Sequence, residues 1–227
     1  MGWLALLLIL LSPAAAAPLP DYLRTALTQF KPDAPADWAY TLTTRRNETH
    51  MVERYDPARP PAARWTLLQW QGRAPTPEEA EKYLRSRPQA DSGGTKANFT
   101  KDDIEPGSLT LVREDESVSE WTGRFRETST GADKMLGRLT LRLLVDKRIP
   151  HVAEYRLSLQ EPYSPVLGVK MHTLDVTVRY QAPADSHPAL PADQTSRFTG
   201  RILFFSTQEE LQLTYTDYTP PSPELSR

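Results

Sequence analysis

The chain has 227 residues, a formal net charge of −2 and no cysteine. Its 39% hydrophobic and 25% charged residues fit a folded domain and exclude a disordered, highly charged chain. The missing cysteine excludes disulfides, thiolate metal sites and a cysteine nucleophile, and no basic stripe with interleaved aromatics invites nucleic acid.

The opening, MGWLALLLILLSPAAAAPLP, carries an apolar run over 3–11 that is shorter than the roughly 20 residues needed to span a bilayer. Pro13 and the alanines at 14–17 follow, as in a secretory signal peptide over 1–16 cut after Ala16 or Ala17. No Lys or Arg precedes the run, so an uncleaved N-terminal anchor is the alternative. The preference for Arg and Ala reads as a GC-rich bacterial source. The expected location is therefore outside the cytoplasm, periplasmic or secreted. No later stretch approaches membrane length, so the mature chain is not expected to span a membrane. The expected layout is one β-rich domain over 17–220 and a disordered tail over 221–227.

In chain order, PDYLRTALTQF places Leu23, Ala26, Leu27 and Phe30 at helical spacing, and Pro32 and Pro35 end the helix. WAYTLTTRRNETHMVERY alternates as two strands around a turn at 45–48. RWTLLQW is a third strand with apolar bulk on both sides, Trp65 and Leu67 against Leu68 and Trp70, and is expected to be covered on both faces. TPEEAEKYLRSR has a capping box, Thr76 with Glu79, and Pro77 at the first helical position. Only Ala80, Tyr83 and Leu84 give this helix an apolar side, so they are candidate lid residues. Residues 86–107 read as a mobile polar loop.

From 108 onward the chain is strand after strand, at 108–113, 118–126, 136–146, 151–160, 167–181, 196–206 and 209–218. The short connections predict an antiparallel meander rather than βαβ units. Leu139, Leu141, Leu143 and Val145 alternate with polar residues, as do Tyr155, Leu157 and Leu159. In VLGVKMHTLDVTVRY the apolar phase slips by one residue near His172 and Thr173. That reads as a β-bulge in a bent strand or, equally, as loop over 168–172.

No catalytic motif stands out. Asp91-Ser92-Gly93-Gly94 looks like a serine-protease nucleophile segment, but its companion motifs are absent and a flexible loop is the better account. The histidines at 50, 151, 172 and 187 have no metal-ligand spacing, and His151, beside a turn, is expected to face solvent. The acidic clusters around 102–105 and 114–116 read as solvated turns. No cofactor fingerprint is present, so no cofactor, metal or catalytic residue is assigned.

The order of elements, a helix, a few strands, a capped helix and a long antiparallel meander, resembles the LolA/LppX-type half-barrel carriers of periplasmic lipids and lipoproteins. RWTLLQWQGRAPTPEE, YSPVLGVKMHTLDVTVRY and GRILFFSTQEELQLTYTDY resemble segments of uncharacterised exported bacterial proteins of that shape. The resemblance implies an α+β, mostly β fold: a strongly curved antiparallel sheet with two or more helices packed on a greasy concave face. No ligand-gating residue of those carriers matches a position here.

Leu139, Leu141, Leu143, Tyr155, Leu157, Leu159 and Met171 are the ligand-facing candidates, and the face formed by Leu139, Leu141, Leu143, Leu157 and Leu159 is expected to lie beneath helices 20–30 and 77–86. The first reading is a binder or carrier of a lipid or acyl ligand. The second is an envelope interaction module with a self-filled core and a protein partner, and a hydrolase comes last.

Overall fold

A computed structural model describes residues 18–86, 99–126, 133–184 and 187–221. The segment read as a signal peptide, the serine-containing stretch at 91–94 and the tail from 222 onward lie outside the described residues. Ten antiparallel strands form one open sheet, in the order β3-β2-β1-β10-β9-β8-β7-β6-β5-β4. The strands are β1 (Ala39–Arg46), β2 (Thr49–Tyr55), β3 (Trp65–Trp70), β4 (Thr110–Glu114), β5 (Val118–Arg124), β6 (Leu139–Asp146), β7 (His151–Leu159), β8 (Val169–Gln181), β9 (Leu190–Ile202) and β10 (Phe205–Thr219). The helices are α1 (Asp21–Gln29), α2 (Pro77–Ser86) and the single turn α3 (Asp133–Leu136). The sheet does not close, which gives the curved half-barrel expected, mostly β with helices on one face.

One side of every strand builds the inner face. Paired residues run across the whole sheet in a row: Trp70, Met51, Thr44, Leu213, Gln194, Val178, Tyr155, Leu143, Trp121 and Leu111. The opposite face is charged. There Glu120 holds Arg113 at 2.6 Å and Arg142 at 3.3 Å, while Glu154 holds Arg156 at 2.6 Å and Arg179 at 2.8 Å. Arg179 reaches on to Asp193 at 3.0 Å, so the ladder extends from β4 to β9.

Bulges supply curvature, because an extra residue bends a strand and increases its twist. Register shifts occur in five strand pairs. In β8, Met171 pairs with Gly200 and Thr173 with Thr199, leaving His172 as the extra residue. The phase slip is thus a bulge within a continuous strand, and it returns Met171 to the same face as Leu174. Leu68 is the corresponding residue of β3: Gln69 pairs with Val52 and Leu67 with Glu53. The expectation of a strand covered on both faces is corrected accordingly, since the bulge turns Trp70 to the inner face and leaves Leu68 exposed.

Two apolar clusters fill the inner face. The first joins Leu23 and Ala26 of α1 to Leu139, Leu141, Leu143, Val145, Val152, Tyr155 and Leu157, with Phe99, Ile104 and Phe125 alongside. The second, on β1–β3 and β10, is aromatic: Tyr40, Tyr55, Trp65, Tyr83 and Tyr215, with Leu42, Leu67 and Leu213. Burying each large side chain contributes about 1.5–3 kcal/mol.

Several expectations are corrected here. Helix α2 packs on β3, the edge of the sheet far from β6 and β7, so α1 alone of these two helices covers Leu139–Leu143. Residues 99–107 are not a mobile excursion. A capping box between Thr100 and Asp103 shapes a short 3-10 turn, and Phe99 and Ile104 are buried on either side. The apolar run read as one strand at 196–206 folds back at Leu203 and Phe204, between β9 and β10. Leu203 takes φ +55° there, a conformation usually left to Gly or Asn in such turns.

The central strands outrun their neighbours. β7 pairs with β8 only from Asp175 to Arg179, and β1 pairs with β10 from Leu211 to Thr216, with Ala39 opposite Thr219 beyond a bulge. Residues 169–174, 198–202 and 205–210 therefore project as a three-stranded blade, about 20 Å long at ~3.4 Å per residue.

Candidate functional site

Between α1 and β1 the chain runs through Lys31-Pro32-Asp33-Ala34-Pro35-Ala36-Asp37 as a strap over the inner face. Its two prolines, separated by Asp33 and Ala34, prevent helix or ladder formation, so side chains of the sheet satisfy its carbonyls. The Tyr180 hydroxyl donates to the Pro32 carbonyl at 2.9 Å, and the Tyr55 hydroxyl to the Ala36 carbonyl at 2.9 Å. Phe30, where α1 gives way to the strap, meets Tyr155 and Tyr180 edge-on, with ring centroids 5.9 and 5.7 Å apart. The Asp33 charge adds to burial in raising the Tyr155, Tyr180 and Tyr215 hydroxyls above their ordinary pKa, Tyr215 to about 12. Burial is the larger cause in all three.

A cavity of about 390 Å³ opens beside α1, lined by Ala26, Phe30, Val152, Tyr180, Pro183 and Ala189 together with Pro188. Its polar lining is Gln29, Lys31 and His151. Lys31 and Gln29 are exposed, which sets them at the rim. His151 is 5% exposed, with Nδ1 2.6 Å from the Ile149 carbonyl, so the expectation that it faces solvent is corrected. A second hollow of about 510 Å³ lies along the strap, lined by Lys31 and the two prolines and by Phe99, with Asp33, Asp37 and Asp103 as its acidic groups.

The ligand-facing candidates divide. Leu139, Leu141, Leu143, Tyr155 and Leu157 are buried in the first cluster beneath α1, packed by the chain's own side chains, and Leu159 is half-buried at its border. Met171 is buried in the blade beside Tyr163. Of the lid candidates, Tyr83 is buried and its hydroxyl donates to Glu53 at 2.7 Å, Ala80 is half-buried and Leu84 is exposed. The cavity residues Phe30, Val152, Tyr180 and Ala189 come from four separate stretches of the chain. The available signal was Phe30 at the end of an amphipathic helix that two prolines stop.

Among the described residues, no helix is long and apolar enough to cross a membrane, and no group of three or more His, Asp or Glu is placed to hold a metal. Compared with protein-family models, with curated proteins and with solved structures, the chain matches none.

Proposed function

We propose that this chain is an exported, non-enzymatic binder of a lipid or other acyl ligand, held in the cavity beside α1. The observation that carries the reading is the apolar lining of that cavity with one cation at its mouth. Phe30, Val152, Tyr180, Pro183 and Ala189 offer surface to a hydrocarbon chain, and Lys31 stands where a carboxylate or phosphate head would emerge. The cavity's volume lies at the lower end of the ~300–1,000 Å³ range of small-ligand sites, which suits one chain rather than a multiply acylated lipoprotein.

The half-barrel with a helix over its concave face accords with the resemblance to LolA/LppX-type carriers, and the N-terminal sequence accords with export to the periplasm. The alternative, an envelope protein partner docked by strand pairing, is less favoured. The edge strand β4 is short and bulged, and Arg113 and Glu114 place charges on it, features that oppose edge-to-edge pairing.

The test is native mass spectrometry of the mature chain incubated with palmitate. A one-to-one adduct is expected. Ala189→Trp, which fills the cavity, should abolish the adduct while circular dichroism stays that of the parent. Lys31→Glu should weaken it by about tenfold, or ~1.4 kcal/mol. Undiminished uptake by folded Ala189→Trp would refute the assignment.

A further inference from the structure

The end of the blade carries an apolar surface that the cavity does not use. The β9–β10 turn exposes Leu203, Phe204 and Phe205, with Phe204 93% and Phe205 76% accessible, and the β7–β8 connection exposes Val166 and Leu167. The two loops form one unit. The Leu203 amide donates to the Gly168 carbonyl at 2.6 Å, and Val169 pairs with Ile202. Gly168 sits at φ +82°, a backbone conformation that L side chains rarely adopt, so a side chain there would strain the turn that meets Leu203. The phenylalanines are thus presented by hydrogen-bonded backbone at the end of a rigid three-stranded projection.

Directly behind the apolar end, Lys170 of β8 stands opposite Arg201 of β9. Like charges facing each other across a ladder are unfavourable unless something neutralises them. Both are exposed, and among the described residues neither is joined to a carboxylate. The acids nearest along the blade lie further inward and most are engaged: Glu209 holds Arg46 at 2.6 Å and Glu210 holds Arg197 at 3.4 Å, while Asp175 starts the β7 pairing. Glu161 precedes the Tyr163–Met171 bridge and so lies on its inward side. The sequence of chemistry from the end inward is apolar, then basic, then neutralised.

We propose that the blade end docks on an anionic phospholipid bilayer. Phe204, Phe205, Leu203 and Leu167 enter the boundary between head groups and acyl chains, and Lys170 and Arg201 meet the phosphates. Aromatic and aliphatic side chains backed by cations are the pattern that holds proteins at such an interface. A second copy of the chain would bring the same basic pair against itself, so the charge favours lipid over self-association. The proposal stands apart from the ligand reading: vesicle binding reports on the blade end, and palmitate uptake reports on the cavity.

The test is flotation of the mature chain with vesicles of phosphatidylglycerol and phosphatidylcholine, and with phosphatidylcholine alone. Binding is expected to the first, with at least about tenfold less to the second. Phe204→Ser/Phe205→Ser should lose binding to both vesicle types. Lys170→Glu/Arg201→Glu should lose the preference for phosphatidylglycerol and most of the salt dependence. Because these side chains are exposed, the variants should retain the parent's circular dichroism and palmitate uptake. As an independent reading, Phe204→Trp should shift its emission to the blue on vesicles and be quenched by brominated acyl chains. A parent chain that does not float, or serine variants that float unchanged, would overturn the proposal. So would sedimentation showing that the chain self-associates through Phe204 and Phe205 in place of binding vesicles.

Discussion

The body of the half-barrel and its projecting blade are written in the same alternating pattern but are covered differently. In the body, Leu139, Leu141 and Leu143 alternate with Thr140 and Arg142, and α1 with Phe99 and Ile104 closes over the apolar side. In the blade, Val169, Ile202 and Phe205 continue the same inner face across three strands, yet Ile202 and Phe205 remain exposed. Alternation determines which face is apolar and says nothing of what lies against it. The body's answer is its own helix and strap; for the blade end we have proposed a bilayer.

The sharpest way to break this contrast is alkali. Tyr155, Tyr180, Tyr215 and Tyr218 all belong to the body, and burial is the first cause holding each hydroxyl neutral above its ordinary pKa of 10.0. A group whose folded pKa is raised supports the fold fully below its unfolded pKa, and that support drains as pH climbs toward the folded value. The body should therefore be stable to about pH 10 and unfold cooperatively above it. Absorbance at 295 nm and far-ultraviolet circular dichroism should change together, whereas independent early ionisation of these tyrosines would contradict their burial.

The next effect is a truncation made in both regions. Leu141→Ala in the body should cost about 2–5 kcal/mol in urea unfolding, as large-to-small core changes do. Ile202→Ala in the blade should stay within about 0.5 kcal/mol. Equal losses would mean that the blade is covered in solution. Gly200→Ala sharpens the comparison, since the blade is thin rather than loose. A Cβ at Gly200 would lie 2.6 Å from the Lys170 carbonyl oxygen and 2.7 Å from the Phe198 ring. A loss of about 1–3 kcal/mol is expected from such overpacking. The smallest effect belongs to the convex ladder: Glu154→Gln weakens contacts to Arg156 and Arg179, which are half exposed, and should cost no more than about 1 kcal/mol.

What was legible in the sequence was what local chemistry decides. The capping box is present, with the Thr76 amide donating to Glu79 at 2.8 Å, and the turn at 45–48 closes with Asn47 at φ +51°. The slip in phase near His172 was legible, but it fits a bulge or a loop equally, and only the pairing of β8 with β9 makes it a bulge. The partner of each apolar side was not legible. Tyr83 belongs to the aromatic cluster, a matter of sheet order rather than of helical periodicity. Phe99 and Ile104 lie at the end of a polar stretch, and only their tertiary neighbours reveal them as core. The turn at Leu203 and Phe204 contains none of the residues that announce turns, so an apolar run concealed it. The cavity was least visible, because its walls meet only when α1, the strap and the β8–β9 connection come together.

In the proposed function the body's apolar face is filled by the chain except beside α1, where an acyl ligand enters. The most direct measurement is photo-crosslinking of the chain with a diazirine-bearing palmitate, followed by peptide mapping. Label on the segments carrying Phe30, Val152, Tyr180 and Ala189, lost in Ala189→Trp, is the result predicted. Label on Leu139, Leu141 or Leu157, or no specific label at all, would contradict it.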